Sequence, residues 1–260
     1  MSKAQIITIS GAVVLFMTLY FCFDTIPNKQ KNLEKSRMMN IESTGITNLI
    51  KDAYTKIDAE QKSIIEAINL DLEKSGSDTL KKLEILKSLS GTWYEIGYPS
   101  IAGSYAEDIA VIQKSESSWS MAGTTYAICV KNAEDGKVKD FCAKRAVKAF
   151  ESAISINPES IEHRINLAIC YVDQPSPDNP MQGILMLREL NTQYPENVSV
   201  LNQLGKLALQ TNQTEKALER LEAAIKLEPE NKNTICLLAT AYKNAGNEAK
   251  ANEYQNKCVN

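Results

Sequence analysis

The chain has 260 residues, 43% of them hydrophobic and 23% charged, with a formal net charge of -3 and an isoelectric point near 5.5. This balance indicates a folded globular protein, and it argues against a basic nucleic-acid-binding protein. No nucleic-acid partner is therefore expected.

The amino-terminal segment is apolar. Residues 4–23 carry no charged side chain, and residues 6–23 are mostly Ile, Val, Leu, Phe and Met. A helix of this length reaches about 30 Å at about 1.5 Å per residue, which is enough to cross a bilayer. The pattern predicts a single-pass membrane protein whose anchor occupies residues 1–27, so the membrane itself is an expected partner.

Two alternatives to a retained anchor stay open. A cleaved signal peptide has a shorter apolar core, about 7 to 15 residues, and small residues at its cleavage site, whereas this segment ends in the bulky run Tyr20–Phe23. A lipoprotein attached through Cys22 is the second alternative, because Leu19 lies three residues before it. Phe21 replaces the small residue expected before a lipidated cysteine.

The charges beside the apolar segment bear on its orientation. Lys3 precedes the segment, whereas Lys29, Lys31, Lys35 and Arg37 follow it. Positive charge is usually retained on the cytoplasmic side. This favours a cytoplasmic bulk domain, and a periplasmic one stays open.

Residues 28–78 are predicted to form a helical spacer between the anchor and the rest of the chain. Apolar residues recur at helical spacing from Ile46 to Ile57, and Asp58 with Gln61 predicts a capping box that begins a second helix. We interpret this hairpin as an amino-terminal cap. A coiled coil that binds a partner is the alternative.

A repeated pattern begins after residue 78. Trp119, Gly123 and Tyr126 follow the spacing W-x6-Y with Gly between, and Ala146 and Phe150 continue it. Pro195 and Pro229 lie 34 residues apart and close two further copies, in which small residues such as Gly205 and Ala217 occupy matching offsets.

These spacings resemble the tetratricopeptide repeat, whose first helix carries W-x2-L-G-x2-Y and whose second carries A-x3-F and a later proline. The resemblance implies an all-α fold over residues 79–260, a right-handed α-solenoid of about four to five helix pairs. The copies are placed approximately at 83–115, 116–160, 161–197, 198–231 and 232–260. Two copies exceed 34 residues, and the extra length is expected in the turns around 131–145 and 174–180.

The remaining cysteines have no C-x-x-C motif and no metal-ligand spacing, and free thiols are expected. Cys170 and Cys236 fall on predicted first helices as small buried residues. Cys129 and Cys142 bracket the predicted long turn and could pair in an oxidising compartment. The sequence leaves that pairing open.

The sequence contains no recognisable catalytic or cofactor motif. Its one histidine, His163, has no zinc-type partner nearby and is predicted to lie on the surface. No P-loop, G-x-G-x-x-G or G-x-S-x-G motif is present. We therefore expect no enzyme, no cofactor and no metal site.

Family members bind protein or peptide ligands in a concave groove lined by the first helices. Their groove contacts come from fixed positions of each repeat, and Ser120 and Thr124 stand where a carboxylate clamp would need Lys and Asn. The same positions in the other copies give the predicted groove residues Glu84, Lys87, Tyr94, Asn166, Asp173, Asn202, Lys206, Asn233 and Thr240.

The sequence thus predicts a membrane-tethered, non-enzymatic adaptor or scaffold that binds protein partners in its groove. Its architecture resembles that of bacterial singly anchored repeat proteins, including translocon-associated factors with a chaperone-like role. The alternative is a structural component of envelope assembly, in the periplasm or attached by lipid.

Overall fold

The computed structural model describes Gln5 and residues 45–259. The chain divides into two compact units, Met1–Asn48 and Leu49–Asn260. The first unit is described only at Gln5 and residues 45–48, so the architecture that follows is that of the second. Within the described residues the secondary structure is helical, apart from one isolated bridge between Ser176 and Asn179.

Residues 45–259 contain twelve helices, joined by short turns. From residue 79 onward they form five pairs, and each pair packs against the next, as in an α-solenoid. The helices are α1 Ile46–Lys56, α2 Ala59–Lys74, α3 Thr79–Glu95, α4 Pro99–Gln113, α5 Glu116–Asn132, α6 Gly136–Ile156, α7 Ile161–Asp173, α8 Gln182–Gln193, α9 Val198–Gln210, α10 Thr214–Leu227, α11 Lys232–Asn244 and α12 Glu248–Val259.

Local sequence signals start and stop these helices. The predicted capping box is present: Asp58 Oδ1 accepts a hydrogen bond from Gln61 N at 2.8 Å, and Asp58 N donates to Gln61 Oε1 at 3.2 Å. Pro195 and Pro229 each lie two residues beyond the end of a helix, where proline prevents continuation. Asn197 and Asn231, two residues further on, cap the next helices through their side chains.

Small residues let the two helices of a pair approach closely. A Cβ atom added at Gly123 would lie 2.9 Å from the Phe150 ring, and one added at Gly205 would lie 2.8 Å from Leu221 Cγ. Phe150 and Leu221 are almost fully buried, at 1% and 0% exposure. The large side chain of each second helix therefore occupies the space that the first helix leaves empty.

One sequence-based prediction about the turns is wrong. The extra residues around 131–145 do not form a long turn, because α5 continues to Asn132 and α6 begins at Gly136. Asp135 caps α6, and Val138, Phe141 and Cys142 extend its apolar face towards the core at helical spacing. The extra length of this copy is therefore helical. The other extension, around 174–180, does lie in the turn between α7 and α8.

The expectation of free thiols is wrong for Cys236 and Cys258, and the pairing of Cys129 with Cys142 that the sequence left open is present. Cys129 pairs with Cys142, which joins the end of α5 to the start of α6, and Cys236 pairs with Cys258, which joins α11 to α12. Cys170 is a free, buried thiol. Because the pairs connect adjacent helices of the same hairpin, each disulfide closes a short loop.

An ion pair with a bifurcated hydrogen bond connects α4 to α6. Arg145 Nη1 donates to Glu107 Oε1 at 2.9 Å and to Glu107 Oε2 at 2.8 Å, and the Tyr126 hydroxyl on α5 donates to the same carboxylate at 3.0 Å. The Glu107 side chain is only 12% exposed. Burial, followed by the nearby Glu107 charge, raises the pKa of Tyr126, so this hydroxyl remains a donor.

The structure contradicts the prediction of a single-pass membrane protein. Over the described part of the chain, no helix is both long and apolar enough to span a bilayer. The longest of them, α6, has 21 residues and carries charged side chains from Lys137 to Glu151. The segment to which the anchor was assigned, residues 1–27, lies outside the described residues except for Gln5.

The close helix approach leads to a prediction at Gly183 on α8. A Cβ atom there would lie 2.7 Å from Val172 N, a backbone atom that cannot turn aside. We expect Gly183→Ala to lower the free energy of unfolding by about 1–3 kcal/mol, as overpacking does. Gly91→Ala is the control, because nothing lies within 4 Å of that site. It should be neutral or stabilising by about 0.5–1 kcal/mol. Equal effects in urea unfolding would contradict this account.

The disulfide between Cys129 and Cys142 spans 13 residues of sequence. A loop of this size predicts about 3 kcal/mol of stabilisation. We expect the Cys129→Ala, Cys142→Ala double variant to lose about that amount in urea unfolding under oxidising conditions. With added reductant the two proteins should have nearly equal stabilities. An oxidised variant as stable as the oxidised wild type would contradict the pairing.

Burial raises the pKa of the Cys170 thiol to about 12. At pH 8 its thiolate fraction is then about a thousandfold lower than that of a free cysteine with a pKa of about 8.5. In a Cys22→Ser background, we expect iodoacetamide to leave the native protein unlabelled. The unfolded protein should take up one label without reductant and five after reduction, as mass spectrometry would show. Rapid native labelling would contradict the burial of Cys170.

Candidate interaction surface

The first helix of each pair packs against the first helix of the next pair along α5, α7, α9 and α11. Each of these four helices leaves a stripe of side chains exposed or partly exposed, at spacings of three, four and seven residues. We call the four stripes together the first-helix face. The first-helix face includes Met121, Thr124, Asn166, Asp173, Lys206, Asn233 and Thr240.

Three of the predicted groove residues lie on this face with exposed side chains: Lys206 on α9, and Asn233 and Thr240 on α11. The Thr240 hydroxyl donates to the Cys236 carbonyl at 3.3 Å, and this local bond fixes the direction of the side chain. Lys206 has no ion-pair partner among the described residues. Its ammonium group is therefore available to an external ligand.

Two predicted residues on α7 are only partly exposed. Asn166 is half-buried, and Asp173 has a side-chain exposure of 30%. Asp173 Oδ2 lies 4.0 Å from Lys131 Nζ at the end of α5. This weak ion pair connects two successive first helices, so Asp173 is partly occupied within the protein.

Three predicted residues lie on α3, at the start of the repeat region. Glu84, Lys87 and Tyr94 are exposed, and the Tyr94 side chain is 47% exposed. Contacts between successive first helices run from α5 to α11. The role of these α3 residues in partner binding stays a prediction.

Asn202 differs from its predicted role as an exposed groove contact. It is only 2% exposed, and its Oδ1 accepts a hydrogen bond from the Thr234 hydroxyl at 2.9 Å. Thr234 is fully buried on α11. Asn202 therefore joins α9 to α11 as a buried polar contact, because its position in the repeat faces the following helix and not solvent.

The prediction that His163 lies on the surface is wrong. It is 7% exposed, and its Nε2 lies 3.8 Å from Glu116 Oε2 on α5. The third residue of α7 faces the preceding first helix, which explains the burial. The pair lies between α5 and α7 and belongs to their packing contact.

The sequence interpretation missed Met121, which is 57% exposed on α5. Met121 is the sixth residue of its repeat copy, the same position that Asn166 occupies in the next copy. With Ser120 and Thr124 it gives α5 an uncharged stripe with one large apolar side chain. The first-helix face therefore offers an apolar contact beside amide and hydroxyl groups, and one free ammonium group at Lys206.

The side chains of this face are mostly polar and uncharged. Side-chain amides and hydroxyls both donate and accept hydrogen bonds, as the backbone of an extended peptide requires. Across the described residues, no group of three His, Cys, Asp or Glu side chains is placed to hold a metal ion.

Comparison with known families gives one match. The tetratricopeptide repeat model matches residues 198–231 and 233–260, which contain α9 and α10, and α11 and α12. A comparison with curated proteins gives no match.

Three solved structures are similar to this chain. A tetratricopeptide repeat protein from Parabacteroides merdae aligns with 86% of this chain and 79% of its own, at 13% identity and a TM-score of 0.52. MamA from Desulfovibrio magneticus RS-1 aligns with 68% of this chain and 93% of its own, at 17% identity and a TM-score of 0.43. PilW, a type IV pilus biogenesis factor, aligns with 68% of this chain and 76% of its own, at 20% identity and a TM-score of 0.46.

The Parabacteroides structure supports the fold alone, and the family model identifies the last two helix pairs as repeats. Gly205 and Ala217 occupy the small-residue positions within the first matched repeat, where α9 and α10 meet. The part of this chain that matches the tetratricopeptide repeat is therefore residues 198–231 and 233–260.

Proposed function

We propose that this protein is a non-catalytic adaptor that binds an extended segment of a partner protein along its first-helix face. The observation that carries the proposal is a row of exposed or partly exposed side chains on four successive, mutually packed helices, and Met121, Lys206 and Asn233 among them have no polar partner within the described residues. Met121, Lys206, Asn233 and Thr240 are exposed, whereas the opposite sides of the same helices are buried.

The size of the face suits an extended peptide. Packed helices lie about 8–10 Å apart, so α5, α7, α9 and α11 together span about 30 Å. An extended chain covers this distance with about nine residues. A peptide crossing the four helices would contact each exposed stripe in turn.

The chemistry of the face suits a mostly uncharged segment. Asn166, Asn233, Thr124 and Thr240 supply amide and hydroxyl groups that can pair with a peptide backbone. Met121 supplies a flexible apolar contact of the kind used on adaptable binding surfaces. Lys206 favours one acidic side chain on the ligand near α9.

We expect peptides selected from a random library for binding to the full chain to lose affinity when the face is changed. The test variant is Met121→Asp with Lys206→Glu, which removes the apolar contact and reverses the free charge. Loss of such anchor contacts predicts at least tenfold weaker binding, or about 1.4 kcal/mol. Both side chains are exposed, so the melting temperature should be unchanged.

The matched control carries the same types of substitution on second helices. Leu185→Asp on α8 with Lys216→Glu on α10 changes one exposed apolar and one exposed basic side chain outside the face. We expect fluorescence anisotropy to give this control the wild-type affinity. If selected peptides bind the test variant as well as they bind the control, the binding site is not the first-helix face.

A further inference from the structure

A pocket of about 190 Å³ lies where the turns of two successive hairpins meet helix α1. Its walls come from the turn between α3 and α4, the turn between α5 and α6, and the side of α1. It is separate in sequence from the exposed stripes of the first-helix face. Its lining combines apolar side chains with several acidic groups.

The charged groups that line the pocket are mostly acidic. Asp52, Glu134 and Asp135 contribute three carboxylates, and Lys56 contributes the one ammonium group. Lys56 Nζ lies 2.7 Å from Asp52 Oδ2, so this pair is internally neutral. Glu134 has no ion-pair or hydrogen-bond partner among the described residues. The two remaining carboxylates leave a net charge of about two negative units.

The helix termini at the pocket do not reverse this charge. Helices α4 and α6 begin here, at Pro99 and Gly136, and each N-terminus carries about half a positive charge. Asp135 Oδ1 already accepts a hydrogen bond from Lys137 N at 2.7 Å as the cap of α6. Helices α3 and α5 end at the same turns, at Glu95 and Asn132, and each C-terminus carries about half a negative charge. The pocket therefore remains negative by about one to two units, which favours a cation.

A second observation also indicates a ligand. Ser100 lines the pocket and is only 6% exposed, yet its hydroxyl makes no hydrogen bond to another described residue. A hydroxyl in such a position normally has a partner, and this one keeps contact with the open pocket instead of being sealed within the protein. Because Ser100 belongs to the wall of an open pocket, a group from a ligand can supply that partner.

The remaining walls suit the stem of a long side chain. Tyr98, Pro99 and Val138 give apolar surface beside the carboxylates. The methylene groups of lysine and arginine pack on apolar surface while their charged ends bind carboxylates. A volume of about 190 Å³ is below the range of typical small-molecule sites, and it suits a single side chain.

The disulfide preorganises this site. Cys129 lines the pocket and is bonded to Cys142, so the turn that carries Glu134 and Asp135 is fixed between two covalently joined helices. A wall that is ordered before binding loses less entropy when the ligand enters.

We propose that this pocket binds the cationic side chain of an arginine or lysine residue in a partner protein. The site is additional to the first-helix face, and it does not depend on the peptide-binding function proposed above. A partner could engage it with a basic residue held at the hairpin turns.

The test uses small probes and the full chain labelled with ¹⁵N. N-acetylarginine methylamide and its lysine counterpart are titrated, with the uncharged citrulline counterpart as the matched ligand control. We expect saturable chemical-shift changes for the amides of Ser100 and Glu134 with the two cationic probes, and none with citrulline. Absence of saturation with both cations, or equal binding of citrulline, would overturn the proposal.

Substitutions of the pocket carboxylates test whether the cationic probes bind in this pocket. Glu134→Gln with Asp135→Asn removes both uncompensated charges, and Asn at position 135 keeps a good helix cap. We expect at least tenfold weaker binding of the cationic probes. Glu196→Gln with Glu219→Gln, which changes two carboxylates near α9 and α10, should bind like wild type. Equal affinity of the two variants would overturn the proposal.

A salt series on the wild-type protein serves if the pocket variant fails to fold. Raising the salt concentration from about 0.05 M to 0.5 M shortens the screening length from about 14 Å to about 4 Å. The affinity for N-acetylarginine methylamide should then fall several-fold. An affinity that does not change with salt would contradict an electrostatic site.

Discussion

The structure depends on the close approach of paired helices at a few small residues. Where the first helix of a pair has Gly123 or Gly205, the second helix inserts Phe150 or Leu221 into the space, and a single added Cβ atom would collide. Such contacts set the spacing within each pair, and the spacing in turn decides which side of the first helix is left exposed. The candidate binding surface is therefore a consequence of packing on the opposite side of the same helices.

The sequence predicts this packing well because the relevant residues act locally. Prolines two residues beyond helix ends, Asn and Asp caps, and the small residues of each pair are all visible as spacing, and the structure places them as expected. The capping box at Asp58 and Gln61 is a further example. Each of these signals fixes a backbone conformation or a steric contact that needs only a few neighbouring residues.

The features that the sequence did not predict depend on contacts between distant residues. Asn202 occupies a groove position by count, but its burial is decided by Thr234 on the next first helix. His163 is buried because α7 packs on α5. The cysteine pairs and the long helix α6 required knowledge of how far one helix extends along its neighbour. Spacing alone cannot give that information.

In the proposed complex, a partner peptide lies across the exposed stripes of α5, α7, α9 and α11. Site-specific photo-crosslinking tests this placement most directly, with benzoylphenylalanine placed at Met121, Asn233 or Thr240 and, as a control, at Leu185 on α8. A library-selected peptide should crosslink from the first three positions and not from Leu185. Crosslinking from Leu185 alone would contradict the account and would place the peptide on the second helices.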